Sequence, residues 1–69
     1  ADCIVHTKDF IYIFEFKLTG QGSAQDAITQ IKEKAYADPY ISSGKKIMAV
    51  GSAFDEEKRN IKDWQKEIL

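Results

Sequence analysis

The run Phe10–Leu18, Phe-Ile-Tyr-Ile-Phe-Glu-Phe-Lys-Leu, limits the folds open to this chain more than any other segment. Its aromatic and β-branched content makes it a strand. It falls far short of the roughly 18 apolar residues a membrane-crossing helix needs, and Glu15 and Lys17 interrupt it. Side chains alternate along a strand. Ile11, Ile13, Glu15 and Lys17 therefore share one face, and Phe10, Tyr12, Phe14, Phe16 and Leu18 share the other. Both faces are mostly apolar, which predicts a central strand covered on both sides. The chain has 69 residues and makes one domain at most. Domains of this size bury only about 60% of their unfolded surface, so the core is marginal.

The remaining segments are placed around that strand. Residues 2–6 are β-favouring, and residues 7–9 leave room only for a hairpin. Thr19, Gly20, Gln21 and Gly22 break the long strand. Ser23 followed by Asp26 is a capping-box pattern, and Ala24, Ala27, Ile28, Ile31 and Ala35 form one apolar helical stripe. Asp38-Pro39 stops the helix, because a residue before proline avoids the α region. Residues 42–45 read as a loop and residues 46–54 as a third strand, bent at Gly51. A polar turn over residues 55–58 follows. Ile61, Trp64, Ile68 and Leu69 fit either a helical stripe or a hairpin partner of the third strand. The expectation is a strand from near Asn60. The fold class is α/β: a small mixed sheet with one packed helix in the order β-β-α-β-β.

Charge and cysteine usage narrow the function classes. Ten basic against eleven acidic residues leave a net charge of −1, so overall charge does not point to nucleic acid, though a local basic strip remains possible. A single cysteine, Cys3, excludes an internal disulfide framework and a multi-cysteine zinc site. No basic segment followed by an apolar one opens the chain as a secretory signal would, so the default setting is intracellular and cytoplasmic, with no membrane. The chain starts without methionine and runs straight into Cys3-Ile4-Val5. That predicts a fragment of a longer protein.

One constellation carries chemistry. With Lys8-Asp9 as a two-residue turn, Thr7 pairs with Phe10, His6 with Ile11, Val5 with Tyr12, Ile4 with Ile13, Cys3 with Phe14 and Asp2 with Glu15. Directly opposed residues lie about 4.5–5.5 Å apart at Cβ, where like charges repel. Two facing carboxylates suit a hard divalent cation, which takes oxygen ligands and removes that repulsion. Lys17, two residues along the same face, is placed to stabilise charge on a phosphate. A three-residue loop would shift the register by one and turn Asp2 away. The plain alternative makes Glu15 and Lys17 a surface ion pair of little energetic weight, with Asp2 a solvated terminus.

An acidic residue, a spacer of about a dozen residues and then Glu-x-Lys on an apolar strand resembles the PD-(D/E)XK nuclease-like superfamily. The elements here are Asp2, Glu15 and Lys17. The strand Phe10–Leu18, residues 27–36, residues 46–51 and residues 54–64 are similar to one branch of it. That branch comprises bacterial proteins in which an AAA-ATPase-like domain precedes a nuclease-like C-terminal domain. The resemblance implies a partial restriction-endonuclease-like core whose opening helix and first strand precede Ala1. It implies magnesium (or manganese) bound by Asp2 and Glu15 with the Phe16 carbonyl. It also implies that Lys17 orients or activates the attacking water, with Gln30 a further active-site residue. The implied partners are nucleic acid, DNA first, and the upstream ATPase-like domain. Two positions depart from the pattern: Ala1 stands where proline is common, and Lys34 where one branch has tyrosine. A non-catalytic interaction or structural module that kept the nuclease-like fold is the alternative.

Other residues have simpler expected roles. Helix geometry alone puts Gln30 at the border of the apolar stripe, where hydration is ordinary. His6 lacks a second nitrogen or sulfur ligand and is a strand-end residue. Cys3 is expected to be a small buried apolar side chain and Trp64 a core or cap residue. Lys34 and Tyr36 are expected as a snorkelling lysine and a packing tyrosine. The pairs Lys45-Lys46 and Lys58-Arg59 read as solvated turns.

Overall fold

A computed structural model describes residues 2–18 and 20–69. Ala1 and Thr19, the latter expected in the strand-ending loop, lie outside the described residues. The elements run β1 (Cys3–His6), β2 (Phe10–Leu18), α1 (Ala24–Glu33), a 3-10 helix (Asp38–Ser43), β3 (Lys46–Asp55) and β4 (Asn60–Ile68). The four strands make one sheet in the order β1-β2-β3-β4. The outer pairs are antiparallel and the central β2–β3 pair is parallel, with α1 in the crossover. This is the expected small mixed sheet with one packed helix. It is consistent with a nuclease-like α/β core.

The first hairpin has the expected register: His6 opposes Ile11, Val5 opposes Tyr12, Ile4 opposes Ile13 and Cys3 opposes Phe14. Thr7 closes the turn. Its N–H donates to the Phe10 carbonyl at 2.8 Å, and its hydroxyl accepts from the Phe10 N–H at 3.0 Å. At the other end of the sheet, β4 is a strand as expected, pairing Asn60 with Asp55 and Ile68 with Met48. The irregularity of the last hairpin lies at Ala53/Phe54 instead of Gly51: Ala53 opposes Asp63 and Phe54 opposes Ile61, so Lys62 is the extra residue of a bulge.

Helix α1 begins as its sequence dictates. The Asp26 N–H donates to Ser23 Oγ at 3.1 Å, and the Ser23 N–H donates to Asp26 Oδ2 at 2.8 Å. Its stripe of Ala24, Ala27, Ile28 and Ile31 is buried against Ile11, Ile13, Ile47 and Ala49. Each fully buried isoleucine contributes about 1.5–3 kcal/mol. Ala35 does not extend the stripe. The helix stops at Glu33, Lys34 caps it, and Ala35 turns back with φ 53° and is exposed. Residues 38–43, partly expected as loop, wind into the 3-10 helix, with Pro39 supplying its fixed φ at the start and Gly44 ending it at φ 79°.

The predicted two-sided covering of β2 is not met. Helix α1 covers the isoleucine face, but no described element covers the other. Phe16 is 49% exposed and Leu18 40%, and across the sheet Trp64 and Ile61 are exposed as well. Trp64 is thus not a core residue, and Cys3 at the start of the edge strand is exposed and not buried. Strand composition reports which faces want cover. Whether cover exists depends on what else packs there.

Candidate active site

Glu15 lies on the helix-covered face of β2 and is buried, at 7% exposure. Its row of the sheet explains how. Glu15 pairs with Gly51 of β3. A Cβ on Gly51 would overlap the Ala24 carbonyl oxygen and press on Ala27 and Ile28 at 3.0 Å. The missing side chain lets α1 sink onto the sheet beside Glu15. The second turn of the helix then brings Gln30 within reach: its Nε2 donates to Glu15 Oε2 at 3.0 Å, and its Oε1 accepts from Lys17 Nζ. A carboxylate, a carboxamide and an ammonium form one half-buried chain. A primary amide can serve both neighbours at once, donating to the anion and accepting from the cation.

Asp2 joins the same stretch of strand from β1. Its backbone N–H donates to the Phe14 carbonyl at 3.0 Å, and its Oδ2 accepts from the Phe16 N–H at 2.7 Å. The paired register ends at Cys3 opposite Phe14, and Asp2 lies just beyond it, held by the Phe14 carbonyl and the Phe16 amide. In an antiparallel ladder a residue's N–H and C=O face the same neighbour, so the Phe16 carbonyl also faces the β1 side. The structure thus ties Glu15, Gln30 and Lys17 together directly and anchors Asp2 on the Phe16 amide.

Asp26 sits close enough to feel Lys17. The carboxyl of Asp26 is held below its ordinary value of 3.8, first by its hydrogen bonds with the backbone and side chain of Ser23, and further by the Lys17 charge. The resemblance named Gln30 as an active-site residue, while helix spacing alone left it on the border of the apolar stripe and Gly51 read only as a bend. Two signals bore on the site: the 15-residue separation of Glu15 and Gln30, which only a tight β2-loop-α1 turn spans, and a glycine inside an otherwise apolar strand.

The donor set fits a hard cation in kind. Asp2, Glu15 and a backbone carbonyl are all oxygen donors, as magnesium and manganese prefer. Among the described residues no three His, Cys, Asp or Glu side chains converge. A cation here would therefore complete its shell with water and substrate oxygens. His6 stays apart from the site. It packs edge-on against Tyr40, with ring centroids 5.4 Å apart.

The sequence model described as the PD-(D/E)XK nuclease superfamily matches residues 1–64, and the chain belongs to that superfamily. A protein of Azotobacter chroococcum mcd 1, described as an uncharacterized protein in the vnfD 5' region, is 35% identical over 60 residues. That match takes in 87% of this chain and 12% of the relative, so the chain spans about an eighth of the relative's length. No solved structure matches. No helix among the described residues is long and apolar enough to cross a membrane.

Proposed function

We propose that this chain is the catalytic-strand portion of a metal-dependent phosphodiester hydrolase acting on nucleic acid, DNA in the first instance. On this reading it is the C-terminal part of a longer cytoplasmic, ATPase-linked protein. The observation that carries the reading is the Glu15–Gln30–Lys17 chain on the helix-covered face of β2, with Asp2 bonded to the adjacent Phe16 amide. A solvated surface ion pair would leave Glu15 exposed. Instead Glu15 is buried, and Gln30 bonds both it and Lys17.

Asp2 and Glu15, with the Phe16 carbonyl, are the residues to hold magnesium or manganese. When bound, such an ion supplies Lewis acidity toward phosphate oxygens and a lowered pKa for water. Lys17 places a positive charge where negative charge grows on the reacting phosphate. Gln30 fixes the lysine's position relative to Glu15, which saves the reorganisation a mobile lysine would require. Upstream chain would supply the cover that the Phe16 and Trp64 face lacks.

A second reading has its own observation. Lys17 is engaged by Gln30, and Asp2 by the Phe16 amide, as in a purely structural polar network. The test is magnesium-dependent cleavage of DNA and RNA by the full-length protein carrying Lys17→Met or Glu15→Gln. The hydrolase reading expects both variants to lose activity while remaining folded. Cleavage unchanged in either would leave the structural module as the better account.

A further inference from the structure

Beyond the Glu15–Lys17 face, a groove opens where the parallel strands β2 and β3 end. Its volume is about 320 Å³, and Leu18, Gly20, Gly22, Ala53, Phe54 and Lys62 line it. Ala53 is the direct β3 neighbour of Lys17 in the parallel ladder, so groove and site share one row of the sheet. Ligands of α/β sheets bind at the carboxyl ends of parallel strands, where the connecting loops leave a crevice. The loop wall is bare at Gly20 and Gly22, which carry φ 85° and 140° and expose backbone without side chains.

The bulge in β4 concerns the same groove. It inserts Lys62 between the Ala53–Asp63 and Phe54–Ile61 pairs, and the freed residue is among those lining the cavity. Bulges re-aim side chains, and this one delivers a cation to a groove with an aromatic wall. Helix α1 offers no competing anion site here, because Ser23 and Asp26 already bond each other's N–H groups. Asp63 lines the groove as well and supplies a hydrogen-bond acceptor. An aromatic and aliphatic wall, one lysine and one carboxylate suit a nucleoside with a single phosphate. A nucleotide in it would pack its base on Phe54 and Leu18, turn its amino edge to Asp63 and place its phosphate at Lys62. The volume lies at the low end of ligand clefts, about 300–1,000 Å³. It holds one unpaired nucleotide and not a duplex.

We infer that this groove binds one unstacked nucleotide of a single strand adjoining the bond cut at Lys17, with Lys62 and Phe54 as its binding residues. The inference rests on the hydrolase reading for what the neighbouring site does, but not for its test. The experiment measures binding of a fluorescent single-stranded oligodeoxynucleotide to the full-length protein carrying Glu15→Gln, with Lys62→Gln, Phe54→Leu or Lys8→Ala added, each across a salt series. Phe54→Leu keeps an apolar side chain on a half-buried strand position, so the sheet is retained. Lys62→Gln should weaken binding and reduce the salt slope by about one. Phe54→Leu should weaken it on the order of ten-fold with the slope unchanged. Lys8→Ala, in the turn at the opposite end of the sheet, should change neither. Equal binding by both groove variants and the parent overturns the inference, as does an equal loss in Lys8→Ala or equal affinity for a blunt duplex. Loss of cleavage in Lys17→Met bears on the hydrolase reading alone, since no cleavage enters this measurement.

Discussion

Glu15 and Gly51 stand side by side in the parallel ladder, and the glycine's missing side chain is what lets the helix reach the carboxylate. The Ala24 carbonyl oxygen occupies the space a Cβ would need. Backbone, not a flexible side chain, is the obstacle. The site's geometry therefore depends on a residue that carries no functional group.

Gly51→Ala should push α1 off the sheet and cost about 1–3 kcal/mol, the usual range for overpacking a well-filled core. Denaturant unfolding of the full-length protein measures the cost. The same substitution should lower nucleic-acid cleavage, because Gln30 moves away from Glu15. Stability and activity equal to the parent would show that the helix does not set the site.

Gln30→Leu removes the link between Glu15 and Lys17 while keeping the side chain's bulk. Losing a partner of a buried polar group costs about 1–3 kcal/mol. The expected outcome is a drop of that size in unfolding free energy together with slower cleavage. Gln30→Glu should be worse for stability than Gln30→Leu, because it places a second carboxylate against Glu15. A Gln30→Glu variant as stable as the parent would contradict the donor role of the amide.

Most of this architecture was legible in particular residues. The alternation in Phe10–Leu18 and the two-residue turn at Lys8-Asp9 fixed the first hairpin's register, because each strand has only one way to bury its isoleucines. Ser23 and Asp26 marked the helix start, because a capping box is a local bond pattern. The helix end was not legible: Ala35 has high helix propensity, and its left-handed φ arises from the turn into the 3-10 helix. Trp64 misled for a different reason. Its apolar bulk says nothing about whether a partner covers β4. Gln30 could be placed on a helix border from spacing, but its two bonds depend on how closely α1 approaches, which is set by Gly51 on a separate strand.

Acid should weaken the start of α1. The Asp26 carboxyl is held below 3.8, chiefly by its bonds to Ser23. A carboxyl with a lowered folded-state pKa contributes stability that is fully present above 3.8 and is lost as pH falls toward the folded value. Asp26→Asn should therefore flatten the acid limb of the stability profile below about pH 4. Unfolding midpoints of parent and variant from pH 2.5 to 6 check this, and parallel profiles would remove Asp26 from the account. Ser23→Ala, which removes the cap acceptor, should cost about 1 kcal/mol at neutral pH.

Isolated residues 1–69 should bind apolar probes and fail to cleave nucleic acid. The uncovered face exposes Phe16 and Leu18 on β2 and Ile61 and Trp64 on β4. Phe10, Tyr12, Phe14 and Phe16 run along it, with ring centroids of successive pairs 5.6–6.4 Å apart. A cleft of about 270 Å³ lies between Phe14, Phe16, Val50, Ser52, Ile61 and Trp64. Exposed apolar surface of this continuity marks an interaction site or an aggregation hazard. An apolar dye should therefore fluoresce with the isolated chain, and Phe16→Ser with Trp64→Ser should abolish most of that signal. Trp64 emission should be that of a solvated indole in the isolated chain and shift to shorter wavelength in any longer form of the protein that covers the face. The loss of cleavage follows from the same opening. Lys17 and Phe16 are neighbours on opposite faces of β2, and an uncovered strand does not hold the side proposed for catalysis fixed within the roughly 0.5 Å that chemistry demands. Cleavage by the isolated chain at the rate of the full-length protein would show that the second face needs no cover.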